Sequence, residues 1–134
     1  MSVLDTDYLV SILQDKNVSG FTVDMIDDPK TTAINAYELY YGARRSDNPE
    51  KSFSEVNSLL KSIPILEFDN RAALKAGDIQ AELMNLGRPV NLLDALIAGV
   101  VITSNEVFLT RNIDHFGRIK GLKCISWKPG DYGR

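Results

Sequence analysis

A chain of 134 residues with 44% hydrophobic residues is sized for one domain with a single real core. Its net charge of −3 excludes a surface that clamps nucleic acid all over, because non-specific binding is carried by Lys and Arg against phosphates. One cysteine, Cys124, excludes an internal disulfide, and the lone histidine, with no paired His or Cys spacing, argues against a transition-metal centre. No apolar run approaches the ~20 residues that span a bilayer, and Asp5 and Asp7 stand where a signal peptide carries positive charge. The expectation is a cytoplasmic protein without membrane contact.

Ser2, Val3 and Leu4 read as a short buried strand ending at Asp5, and Tyr8, Leu9, Ile12 and Leu13 give the helix that follows one apolar face. Residues 19–28 are expected to form a short helix stopped before Pro29, and the β-branched run over 31–34 a second strand. A helix then starts near Asn35, carries Tyr37, Leu39 and Tyr40, and frays toward the breakers Ser46, Asp47, Asn48 and Pro49. From Lys51 onward Phe53, Val56, Leu59, Leu60 and Ile63 recur at helical spacing, and residues 64–68 fit a third strand. Ala72, Ala76, Ile79, Leu83 and Leu86 predict an amphipathic helix with Asp69 or Asn70 as N-cap and Gly87 as its stop before Pro89. Residues 92–102 leave almost no polar face and predict a central buried helix. Strands over 107–110 and 122–126 close the chain around a turn or short helix at 112–116, with Cys124 read as a buried structural thiol. Strands alternating with helices imply one α/β domain, a parallel sheet with helices on both faces.

Charge is unevenly spread. Residues 1–30 carry six acids against two bases, whereas residues 111–134 carry Arg111, Arg118, Lys120, Lys123, Lys128 and Arg134 against Asp114 and Asp131. The pattern suits a basic edge beside an acidic pocket, and equally an ordinary solvated surface.

Three acids stand out by position. Asp5 is at the carboxyl end of the first strand, Glu38 in the first turn of the helix after the second, and Asp94 in the first turn of the buried helix. Ligands of open α/β sheets bind outside the carboxyl ends of strands, so these acids share the functional edge if the buried helix points inward. Each also has a structural reading. Asp5 or Thr6 can cap a helix, and the pairs Asn35/Glu38 and Asn91/Asp94 have the spacing of a cap and a third-position acid. Capping does not account for an acid leading into a helix apolar on all sides, because a carboxylate near a core needs a partner such as Arg88, Arg111 or a cation. Converging carboxylates repel one another unless a cation is shared, and Mg²⁺ prefers such oxygen ligands and promotes phosphodiester hydrolysis.

The stretches Val3-Leu4-Asp5-Thr6-Asp7, Asn35-Ala36-Tyr37-Glu38-Leu39-Tyr40-Tyr41-Gly42-Ala43, Asn91-Leu92-Leu93-Asp94-Ala95-Leu96-Ile97-Ala98 and Leu109-Thr110-Arg111-Asn112-Ile113-Asp114-His115-Phe116 together resemble the PIN-domain ribonucleases, and more narrowly the VapC-type toxins. The resemblance spans nearly the whole chain. It implies a three-layer α/β/α sandwich around a mainly parallel sheet and an endoribonuclease dependent on Mg²⁺ or Mn²⁺. It places Asp5 and Asp94 on the metal, Glu38 beside them, and Asn112 at a fourth position, with Asp114 a second candidate because it is displaced by one residue from the family's usual acid. Thr6 and Thr110 would position water or substrate. The likeness also implies an RNA substrate, a homodimer, and a cognate antitoxin whose tail sets a basic side chain against the acids. Tyr37, Tyr40 and Tyr41 read as half-buried helix packing before any role in RNA stacking or subunit contact.

Asp5-Thr6-Asp7 after a strand also resembles the opening of haloacid-dehalogenase-type phosphatases. That reading needs an acidic pair after another strand, and the nearest match, Gly77-Asp78 with Glu82, falls inside a predicted helix. A non-catalytic domain binding RNA or a partner protein is the other alternative, against which Asp5, Glu38 and Asp94 all count. His115, beside Phe116, reads as structural.

Overall fold

Val3 and Leu4 are both completely buried, and their alternation on a strand sends one to each face of the sheet. In the computed structural model, which describes residues 2–14 and 28–126, they sit in β1 (Ser2–Leu4), the middle strand. The chain continues through α1 (Thr6–Gln14), β2 (Pro29–Thr32), α2 (Ala33–Arg44), α3 (Pro49–Lys61), β3 (Ile65–Leu66), α4 (Asn70–Asn85), α5 (Leu92–Thr103), β4 (Val107–Thr110), α6 (Ile113–Phe116) and β5 (Lys123–Ser126). Every pairing is parallel, in the order β3-β2-β1-β4-β5. Apart from Asp28, the helix expected over 19–28 lies outside the described residues.

Two cores flank the sheet. Val3, Ile97, Ala98, Val101, Phe108 and Phe116 belong to the one that includes α4 and α5, while Leu4, Tyr8, Leu9, Leu39, Val56 and Leu60 belong to the one that includes α1, α2 and α3. The α/β/α sandwich expected from the sequence is therefore the fold observed. Among the described residues no helix is long and apolar enough to cross a membrane.

Helix starts follow the side chains that accept their free N–H groups. Asn48 accepts from Lys51 with Pro49 in the first turn, Asp69 accepts from Ala72, and Asn91 accepts from Leu93. Gly87, with φ 71°, turns the chain out of α4 in a conformation that suits glycine.

Three sequence expectations change. The second strand ends at Thr32, two residues early, because the Thr32 hydroxyl accepts from Asn35 N–H and caps α2 at Ala33. Asn35 is thus inside the helix, and Glu38 moves from its first turn to its second. The third strand shortens from 64–68 to Ile65–Leu66 at the sheet edge, where only β2 is available to pair with it. Cys124 is half-buried, since β5 is the opposite edge strand.

Candidate active site

The chain lays down β1, β2 and β3 in one direction and then returns across the sheet to place β4 on the other side of β1. Such a reversal opens a crevice at the carboxyl ends of the two strands where it occurs, here β1 and β4. Asp5 follows β1 directly, and its N–H donates to Leu109 O at 3.0 Å, extending the strand pairing one residue beyond β1. That bond sets Asp5 beside Thr110, the last residue of β4.

Asp5 is only 5% exposed and receives three hydrogen bonds. Thr6 N–H and Asn35 Nδ2 donate to its Oδ1 at 2.7 and 3.2 Å, and the Thr110 hydroxyl donates to Oδ2 at 2.6 Å. Glu38, half-buried, accepts the Thr6 hydroxyl on Oε1 at 2.7 Å. Asp94, also half-buried, points from the first turn of α5, and among the described residues no group donates a hydrogen bond to its carboxylate.

Burial lifts the Asp5 carboxyl to about 6, outweighing the bonds from Thr110 and Thr6, and the charges of Asp7 and Glu38 push the same way. Glu38 is raised by burial and by Asp94 and Asp7, with the Thr6 hydroxyl opposing. Asp94 is raised by burial and moderated by His115 and Arg118. Burial thus opposes ionisation of all three acids, and like charge adds to it at Asp5 and Glu38. Arg111 pairs with Asp7 at 3.8 Å, and Arg118, just after α6, donates to Arg88 O and Pro89 O at 3.4 and 2.8 Å, tying that turn to the loop that leads into α5.

Hydrogen bonds link Asp5, Thr6, Thr110 and Glu38 at this edge, and Asp94 lies near enough for its charge to raise Glu38. Asn112 and Asp114 are both exposed; Asn112 N–H donates to Thr110 Oγ, and Asn112 is the N-cap of α6, but its side chain makes no capping bond. The hydroxyl hydrogens of Thr6 and Thr110 go to carboxylates, so in this structure these residues position Glu38 and Asp5. The side chains that moderate Asp94 are those of His115 and Arg118, in place of the expected Arg88 and Arg111. Tyr37 and Tyr41 are exposed and stack on each other with ring centroids 6.1 Å apart, so only Tyr40, tilted against Phe53, fits the half-buried packing reading. Asp78 and Glu82 sit on exposed positions of α4 beside Lys75 and Arg118, in a different cleft, which removes the arrangement a dehalogenase-type phosphatase would need.

Asn35 is the site residue that sequence spacing misassigned. It is fully buried, and it bonds both Asp5 and Thr6, whereas its position before Glu38 suggested only a helix cap. The available signal was an amide on the same helical face as Ala36, Leu39 and Ala43, all of them buried.

Among the described residues no three acidic, histidine or cysteine side chains converge closely enough to ligate one ion together. The donor chemistry nevertheless suits a hard cation. Mg²⁺ typically takes one or two carboxylates and keeps several waters, and Asp5 and Asp94 offer all-oxygen ligation where excess negative charge needs relief.

Residues 2–122 match the PIN domain family. The chain is 31% identical over 127 residues to a tRNA(fMet)-specific endonuclease VapC of Shigella flexneri, covering 93% of this chain and 96% of that protein. It is 35% identical over 96 residues to a protein of the same name from Salmonella typhimurium, covering 72% and 73%. A crystal structure of DNA-bound VapBC from Salmonella typhimurium superposes with a TM-score of 0.83 at 30% identity, covering 95% of this chain and 98% of that one.

Proposed function

The chain belongs to the PIN domain family, within its VapC group, and from that premise we propose that it is a divalent-metal-dependent endoribonuclease and the toxin of a toxin–antitoxin pair. The observation that carries the reading is the buried Asp5 at the β1/β4 crevice, joined through Thr6 and Asn35 to Glu38, whose carboxyl in turn feels the charge of Asp94. Asp5 and Asp94 hold the cation, Mg²⁺ or Mn²⁺, and Glu38 completes the acidic set. Such a cation, when bound, stabilises charge on a phosphoryl oxygen and makes water a competent nucleophile at neutral pH. Thr110 and Thr6 keep Asp5 and Glu38 oriented, and the exposed Asn112 and Asp114 position the RNA strand. Arg111 and Arg118 offset the repulsion between the acidic edge and the phosphate backbone.

Transfer RNA is the substrate class to try first, because the Shigella and Salmonella relatives are named as tRNA(fMet)-specific. An antitoxin tail fits the groove lined by Val10 and Leu13 of α1, Leu39 and Gly42 of α2 and Val56 of α3. Glu38 lies in its wall, so a basic side chain of that tail can compete with the cation for the acids. A homodimer belongs to the same proposal, as does a cytoplasmic setting, where a single half-buried thiol stays reduced.

The test is cleavage of a labelled tRNA pool with Mg²⁺ or Mn²⁺, with EDTA, and by the Asp94→Asn variant. The reading expects cleavage only by the wild type with metal. A folded wild type that cuts nothing, or that cuts equally well in EDTA, overturns it.

A further inference from the structure

Hydroxyl hydrogens have a direction, and at this site it is set where each chain of bonds ends on a carboxylate, which only accepts when ionised. The Thr110 hydroxyl donates to Asp5 Oδ2 and accepts from Asn112 N–H at 3.0 Å. The second route is longer. Asn35 N–H donates to Thr32 Oγ at 3.1 Å, and the Thr32 hydroxyl donates to Asn35 Oδ1 at 2.7 Å. Asp5 Oδ1, an acceptor, fixes which end of the Asn35 amide faces the site. Its Nδ2 then donates to Asp5 Oδ1 and, at 2.9 Å, to Thr6 Oγ, which leaves the Thr6 hydrogen for Glu38 Oε1. An ionised carboxylate has no hydrogen to give, so neither chain can run backwards.

We propose that Asn35 is a positioning residue of the acidic site, orienting Asp5 directly and Glu38 through Thr6 so that both carboxylates meet only donors from the protein and turn their remaining lone pairs outward. The proposal rests on the metal-dependent ribonuclease reading. Asn35 is fully buried and spends its amide on these bonds, where a side chain serving only as packing would be apolar. Its place on α2, three residues before Glu38, lets one helix carry an acid together with the group that orients it.

The experiment measures Mn²⁺ affinity by calorimetry and, separately, RNA cleavage for wild type, Asn35→Leu, Thr6→Val and the double variant, with folding checked by circular dichroism. Removing an outer-shell partner of a ligand typically costs about 10- to 100-fold in metal affinity or activity. A loss of that order is expected in each single variant. Because Asn35 reaches Glu38 through Thr6, the double variant should lose clearly less than the product of the two single losses. Asn35→Asp, which replaces the donor by an acceptor, should lose more than Asn35→Leu. Folded single variants with wild-type Mn²⁺ affinity, or losses that simply multiply, overturn the proposal. Should Asn35→Leu fail to fold, Thr6→Val decides, since that half-buried hydroxyl is removed at little packing cost. A wild type that binds Mn²⁺ without cutting RNA refutes the nuclease reading and leaves the affinity arm to judge Asn35; a wild type that binds no Mn²⁺ overturns both.

Discussion

Burial holds the Asp5 carboxyl near 6 even though three donors reach it, so the ionised form is costly in the folded chain. The folded chain keeps that proton up to about pH 6, while the unfolded chain releases it near 3.8. Between those values the folded state binds more protons, so stability falls as pH rises, by about 3 kcal/mol for the whole interval. Asp5→Asn should therefore abolish cleavage yet stabilise the metal-free protein at pH 7 by about 1 to 3 kcal/mol, a trade seen where sites are built for chemistry. Urea unfolding in EDTA at pH 7 and pH 4 checks this: the gain should shrink at the lower pH, and a variant weaker at pH 7 would contradict it. Cation binding needs the carboxylates ionised, so Mn²⁺ affinity and cleavage should both fall as pH drops through 6. A flat profile between pH 5 and 7 would show that Asp5 is ionised throughout.

Between elements, the closest approach that bears on the site is that of α4 to α5. A Cβ on Gly99 would lie 2.5 Å from Ala72 O and 3.0 Å from the Ala76 Cβ, so glycine here and alanines opposite let the helix carrying Asp94 seat deeply. Gly99→Ala should cost about 1 to 3 kcal/mol, because a backbone oxygen cannot swing aside and the helices must part. Gly77→Ala on the same pair of helices gives the contrast. Nothing lies within 4 Å of its added methyl, and a helix-interior glycine replaced by alanine should gain about 0.5 to 1 kcal/mol. Denaturant midpoints of the two variants should move in opposite directions; a shared direction would mean that propensity outweighs the Gly99 contact.

Across the whole molecule the two ends of the sheet do different work. Lys30, near the start of β2, pairs with Glu106, which directly precedes β4, and with Asp28 at 3.1 Å. This charge cluster is therefore at the amino ends of strands whose carboxyl ends carry Asp5 and Thr110. Glu106 is only 7% exposed, and its Oε2 has no hydrogen-bond partner among the described residues, so Lys30 is its main compensation. Lys30→Met should destabilise the fold by about 3 to 5 kcal/mol, the cost of leaving a buried charge unpaired. Cleavage per folded molecule should be unchanged, and active-site titration alongside thermal unfolding separates the two quantities. A catalytic loss in fully folded Lys30→Met would show that the two ends are coupled.

The fold class, the parallel sheet, the buried α5 and the places of Asp5 after β1 and Asp94 in the first turn of α5 were legible in the sequence because they depend on local pattern: apolar period, capping residues and position relative to a strand. The start of α2 was not, since Thr32 and Asn35 are both competent caps and the choice lay with what else Asn35 could bond. Its amide is 29 and 30 residues from Thr6 and Asp5, a pairing that exists only once β1 and β2 lie side by side. The shortness of β3 was decided the same way, by an edge place in the sheet that leaves it only β2 to pair with. Local chemistry determined which acids stood out; the tertiary structure decided which of them feel one another, because only the folded chain brings carboxylates separated by 33 and 56 residues of sequence within reach of each other's charge.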